Sequence, residues 1–118
     1  MPLDIRRCLL TGASGGIGAA LAQALAEQGI TLVLQGRDQA RLEALQQRLP
    51  GKHELLVADL TRAQDRQRLL AQAFAPGHVD CLVNNAGASA FGDFTQLLSD
   101  DIEAMLSLNL TAPILLTR

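Results

Sequence analysis

Short apolar runs alternate along the chain with longer segments of helical periodicity. The runs occupy residues 7–10, 30–34, 54–58 and 79–83, each rich in Leu, Val or Ile and too short for an independent helix. Near-continuous runs of this kind predict strands buried on both faces. Ile17, Ala20, Leu21, Ala24 and Leu25 recur at i, i+3, i+4, i+7 and i+8, which predicts an amphipathic helix stopped by Gly29. Leu42, Leu45 and Leu49 mark a second helix ended by Pro50-Gly51; Leu69, Leu70, Ala73 and Phe74 mark a third ended by Pro76-Gly77. Ile102, Met105, Leu106, Asn109, Leu110 and Pro113 are expected along one face of a fourth. The alternation implies parallel strands joined by right-handed crossovers, an α/β doubly wound sheet with helices on both faces. No repeat, low-complexity tract or linker interrupts it, so residues 1–118 read as one domain.

Composition narrows the function classes. The 118 residues are 48% hydrophobic and 19% charged, with a net charge of -2. Such a chain is too apolar for disorder and lacks the basic excess of a nucleic-acid binder. No stretch approaches the ~18 consecutive apolar residues of a membrane helix. The start, Met-Pro-Leu-Asp-Ile-Arg-Arg, lacks the apolar core and cleavage site of a secretory signal. A cytoplasmic location is expected, where the sequon Asn109-Leu110-Thr111 goes unused. Arg6-Arg7 reads as a solvated lead-in to the first strand. Cys8 and Cys81 read as buried thiols acting as small hydrophobes, with no disulfide expected. His53 and His78 fall in loops without partners at catalytic spacing, and no cluster has metal-ligand spacing.

The chemistry gathers where strands end. The first strand runs directly into Thr11-Gly12-Ala13-Ser14-Gly15-Gly16-Ile17-Gly18, inside which the first helix starts. A helix N-terminus offers unpaired N–H groups and a positive dipole end to a phosphate, and glycines permit the tight turn and close approach. The spacing is Gly12-x-x-x-Gly16-x-Gly18, and no Gly-Lys-Ser/Thr follows, so this is not a P-loop. Asp59-Leu60 follows the third strand, Asn84-Asn85-Ala86-Gly87 closes the fourth, and Asn109 sits in the fourth helix. These four motifs, in this order, resemble those of the short-chain dehydrogenases/reductases, whose nucleotide motif Thr-Gly-x-x-x-Gly-x-Gly is matched at every fixed position by Thr11 through Gly18.

The resemblance implies a Rossmann-like, incomplete sheet of about four strands in the order 3-2-1-4, and an NAD(P)-dependent oxidoreductase interconverting carbonyls and alcohols. It makes Thr11, Gly12, Ser14, Gly15, Gly16, Ile17 and Gly18 candidate cofactor contacts, with Leu60 and Asp59 at the adenine and Asn85, Ala86 and Gly87 near the ribose. Asp59 reads equally as a helix N-cap. After the strand at 31–35 comes Gly36-Arg37-Asp38, so the ribose-binding carboxylate of NAD enzymes is missing and Arg37 can grip a 2′-phosphate. NADP is therefore expected over NAD. Many NADP-preferring relatives carry a second basic residue where this chain has Gly15, so the phosphate is expected to rest mainly on Arg37. Asp38 reads as the N-cap of the next helix.

Asn109 is the candidate catalytic residue. Pro113, four residues on, has no N–H for the Asn109 carbonyl, which predicts a kink and a free acceptor. In the resembling family that carbonyl holds a water in a proton relay. A tolerated kink with an asparagine satisfied in the core is the plainer alternative. Ser89 and Ser99 fall where the family shapes substrate access. The family's acid is a tyrosine with a lysine four residues later and a nearby serine; this chain has no tyrosine, and its one lysine is Lys52. Two readings follow: the nucleotide-binding half of an NADP-dependent reductase, or a non-catalytic NADP-binding module or redox-sensing relative. A plain interaction domain is a third. The expected partners are a small carbonyl or alcohol substrate and, through the fourth helix, further copies of the chain.

Overall fold

In the computed structural model, which describes residues 4–88 and 92–118, one sheet carries every strand. The strands are β1 (Arg7–Leu10), β2 (Thr31–Gly36), β3 (Glu54–Val57) and β4 (Cys81–Val83). All neighbours run parallel, in the order β3-β2-β1-β4, as expected. Helices α1 (Gly16–Glu27), α2 (Gln39–Arg48) and α3 (Ala63–Phe74) fill the crossovers. After β4 come a short 3₁₀ turn at Phe94–Gln96, α4 (Ser99–Leu106), a π-helical turn at Ser107–Thr111 and α5 (Ala112–Thr117).

Side chains alternate across the pleat, so one apolar run serves two cores. Cys8, Leu10, Leu32 and Leu34 pack under α1 and α2 against Ala22, Ala26, Leu42 and Leu45. Leu9 and Val33 face the other way, onto Leu69 and Ala73 of α3 and Ala112 and Leu116 of α5. Gly29, at φ +80°, ends α1 as expected.

Three expectations shift. The buried stripe of α1 is Gly18, Ala22 and Ala26, flanked by Leu21 and Leu25, while Ile17 is 73% exposed. Gly18 lies so close to the glycine loop that no side chain fits there, while Ala22 and Ala26 pack on the sheet core. The predicted face of the fourth helix is also rotated. Its π-helical turn adds a residue ahead of Pro113, so Leu108, Ala112 and Leu116 meet the core while Leu106, Leu110 and Ile114 face outward. Arg7 is not a solvated lead-in. Its guanidinium reaches across β2 to both Glu54 carboxylate oxygens at 3.0 and 2.9 Å, and also donates to the Ala73 carbonyl.

Further ties hold the sheet ends opposite the glycine loop. The Asp80 carboxylate accepts from the Arg6 and Arg7 amides, both at 3.0 Å. His53 is buried; Leu32 N–H donates to its Nδ1 at 3.0 Å, so Nε2–H donates to the Pro50 carbonyl at 2.7 Å. Both histidines do lie outside helices and strands, but His53 is a staple for the start of β2.

Candidate functional site

At the carboxyl ends of β1 and β2 a cleft of about 1080 Å³ opens, just above the ~300–1,000 Å³ of small-molecule pockets and roomy enough for an extended ligand. Its walls come from the glycine loop, the end of β2, the start of α2, Leu60-Thr61, residues 85–88, and one face of α4 and the π-helical turn. The crevice opens there because the strand order turns at β1: successive crossovers step outward to β2 and β3 on one side, and the next returns to β4 on the other.

The glycines divide into two kinds. Gly12 has φ +64°, and a Cβ there would lie 2.8 Å from the Ala86 Cα. At Gly18 a Cβ would sit 2.1 Å from the Gly12 carbonyl oxygen and 2.8 Å from Asn85 Nδ2. The chain's own packing demands both. Gly15 would meet only the Gly12 oxygen at 3.6 Å, and Gly16 nothing within 4 Å. Both line the cleft, with open space beside them.

Helix α1 begins without a side-chain cap, and its first turn holds no acidic residue. The N–H groups of Gly16, Ile17 and Gly18 have no partner within the helix and open toward the cleft. Ile17 covers the same mouth with an exposed apolar side chain.

Two polar side chains, buried Thr11 and half-buried Asn85, fix the loop. Thr11 Oγ1 accepts from the Asn85 and Ala86 amides, both at 3.0 Å, and donates to the Val83 carbonyl at 3.3 Å. Asn85 Nδ2 donates to the Gly12 carbonyl at 3.0 Å. Thr11 thus lies behind the cleft wall and ties the loop to the end of β4. Sequence reasoning missed Gln35. Its Oε1 accepts from the Gly12 amide at 2.9 Å and its Nε2 donates to the Ala58 carbonyl at 2.7 Å. A lone amide ending the run Leu32-Val33-Leu34 was the available signal.

Beyond β2, Gly36 is buried and closely packed: a Cβ would lie 3.1 Å from Leu42 Cδ2 and 3.3 Å from Ser14 Oγ, so those side chains would have to shift. Arg37 is exposed on the cleft wall. Asp38 caps α2, accepting from the Arg41 amide at 3.2 Å, as expected. Arg41 is the second residue sequence reasoning missed. It lines the cleft beside Arg37, its Nη2 donating to the Ser14 carbonyl at 3.1 Å. A spacing of four from Arg37 across a helix start could have flagged it.

Asp59 stands apart from the lining. Its Oδ1 accepts from Thr61 Oγ1 at 2.7 Å and from the Thr61 amide at 3.0 Å, and the N-cap position of α3 falls to Arg62, whose side chain makes no capping bond. Thr61 above all holds the Asp59 carboxyl below its usual range, with Arg62 and Arg37 adding to the effect. Leu60, Ala86 and Gly87 do line the cleft. Asn109, within the π-helical turn, is exposed rather than set in the core. Its Oδ1 accepts from the Ala88 amide at 2.8 Å while its Nδ2 donates to the Ala88 carbonyl, clamping the chain after β4. Ser99 starts α4; Ser89 lies outside the described residues. Among the described residues, no group of acidic, histidine or cysteine side chains could hold a metal ion, and no helix is long and apolar enough to cross a membrane.

The family model for short chain dehydrogenase matches residues 6–118. A glucose 1-dehydrogenase of Gluconobacter oxydans is 35% identical over 115 residues, covering 93% of this chain and 43% of that protein. Among solved structures, a Sphingobium yanoikuyae short-chain dehydrogenase in complex with NADPH superimposes with a TM-score of 0.89 and is 38% identical, covering 96% of this chain and 46% of that one. A metagenomic short-chain oxidoreductase in complex with NADP gives 0.91 and 34%, covering 96% and 53%. The chain thus spans about half the length of the relatives it matches.

Proposed function

Because the chain belongs to the short chain dehydrogenase family, we propose that it supplies the nucleotide-binding half of an NADP-dependent oxidoreductase that reduces carbonyls or oxidises alcohols. One observation carries the reading: an uncapped helix N-terminus, with glycines the fold does not need, opens into a cleft that two arginines flank. The residues fit the dinucleotide. The amides of Gly16, Ile17 and Gly18 take the pyrophosphate, and Gly15 and Gly16 let it approach. Arg37 and Arg41 take the 2′-phosphate, and Gly36, closely packed against Leu42 and Ser14, offers no NAD-type carboxylate. Leu60 faces the adenine, and Ala86-Gly87 the ribose. NADP, when bound, carries the hydride.

Asn109 acts by position. Its side chain holds Ala88, while Pro113 leaves its carbonyl without the usual α-helical donor, free to hold a water in a proton path. The chain has no tyrosine, so the phenolic acid of the family's chemistry is not among these 118 residues. The outward Leu106, Leu110 and Ile114 suit pairing of two copies, measurable by light scattering on the purified chain.

The test of the nucleotide reading is Arg37→Asp, titrated with NADPH and NADH while nicotinamide fluorescence is followed. NADPH affinity should fall at least tenfold, with NADH gaining relative to it. Unchanged affinity for both sinks the NADP assignment.

A further inference from the structure

β1 and β4 carry the chain's two cysteines at the same level of the sheet. Cys8 and Cys81 are direct register partners on neighbouring parallel strands, and both side chains enter the core under α1 and α2. Such strands lie about 4.7–4.9 Å apart, inside the roughly 4.4–6.8 Å Cα separation that a disulfide spans. Burial, and then the Cys81 thiol beside it, push the Cys8 thiol up to about 12. Cys8 is fully buried, whereas Cys81 is partly exposed on a strand whose other edge pairs with none among the described residues. Neither thiol lines the nucleotide cleft.

We propose that Cys8 and Cys81 form a reversible thiol-oxidation site, which closes a cross-strand disulfide when the chain meets hydrogen peroxide. Exposure sets the order of steps. The Cys81 thiolate attacks one peroxide oxygen and the O–O bond breaks. Cys81 becomes a sulfenic acid, and the departing hydroxide leaves as water with the proton the thiol released. The Cys8 sulfur then attacks the Cys81 sulfur, the S–O bond breaks, and the hydroxide departs as a second water with the Cys8 proton. Two thiols are oxidised and one peroxide is reduced. Cys8 is a poor thiolate and does not compete for peroxide; its reaction with Cys81 relies on enforced proximity. The bond ties β1 to β4 just below Thr11 and Asn84-Asn85.

The experiment treats the folded, unaltered chain with hydrogen peroxide and follows it by intact mass and by peptide mapping without reductant, dimedone trapping any sulfenic acid. A monomer that has lost two hydrogen atoms, with the peptides bearing Cys8 and Cys81 linked and with dithiothreitol restoring both thiols, supports the site. Cys8→Ser should stop at a dimedone-reactive Cys81, and circular dichroism checks that this variant is folded. Should it fail to fold, mapping of the unaltered chain decides alone. Three results overturn the proposal: no oxidation of the folded chain, a cross-link only between chains, or a Cys81 sulfenic or sulfinic acid with Cys8 still a free thiol.

Discussion

Replacing single glycines of the phosphate loop by alanine separates the demands of the fold from those of the ligand. At Gly18 the new methyl would start 2.1 Å from the Gly12 carbonyl oxygen and 2.9 Å from the Ala13 Cα, both backbone atoms that cannot swing aside. Relieving such an overlap moves α1 off the loop, at a cost of about 3 kcal/mol, the upper end of ordinary overpacking. For a domain of this size that lowers the melting temperature by about 12 °C, at about 4 °C per kcal/mol. At Gly16 the methyl meets no atom of the chain within 4 Å. Gly16→Ala should melt at the same temperature or slightly higher, since alanine in a helix gains up to about 1 kcal/mol over glycine. In the proposed binding mode its methyl nonetheless stands where the pyrophosphate would come within hydrogen-bonding reach of the helix amides. Losing one charge-assisted bond costs about 1.5–3 kcal/mol, so NADPH affinity should drop roughly tenfold to a hundredfold. Thermal melts and fluorescence titrations on both variants give the readouts. Wild-type NADPH affinity in Gly16→Ala, or a melt as depressed as that of Gly18→Ala, would refute the division.

Other substitutions test the supports around the cleft. His53→Ala leaves the Leu32 amide without its acceptor and should destabilise the chain by about 1–3 kcal/mol in urea melts. Asn109→Ala removes both hydrogen bonds to Ala88; hydrogen exchange at the Ala88 amide should speed up well before global unfolding. The Asp80 carboxyl is held below its usual range by the Arg6 and Arg7 amides. A carboxylate depressed in the folded chain stabilises above its unfolded pKa, near 3.9, and loses that contribution as pH falls through the folded value. Asp80→Asn should therefore be less stable than the unaltered chain at neutral pH, with the gap closing in acid. A gap independent of pH would contradict this.

The strands were legible because each apolar run must serve two cores, and the glycine loop because its spacing sits between a strand and a helix. What escaped was tertiary. The inner line of α1 starts at Gly18, which the loop crowds, and runs on through Ala22 and Ala26 on the sheet, rather than through the larger residues that periodicity favours. The fourth helix carried its clue in Pro113, yet an extra residue in a π-helical turn, rather than a simple kink, resets which side chains meet the core. Arg41 and Gln35 gain their places only when the start of α2 and the end of β2 fold back onto the glycine loop. Arg7 looked solvated because its partner Glu54 lies on a strand that is not its neighbour.

The central claim is that this cleft prefers a dinucleotide bearing a 2′-phosphate. Calorimetric titration of the unaltered chain with NADPH and with NADH, at one low salt concentration, measures it directly. The account predicts that NADPH binds at least tenfold more tightly, an advantage that shrinks as added salt screens Arg37 and Arg41. Equal affinity for the two, or tighter binding of NADH, would contradict it.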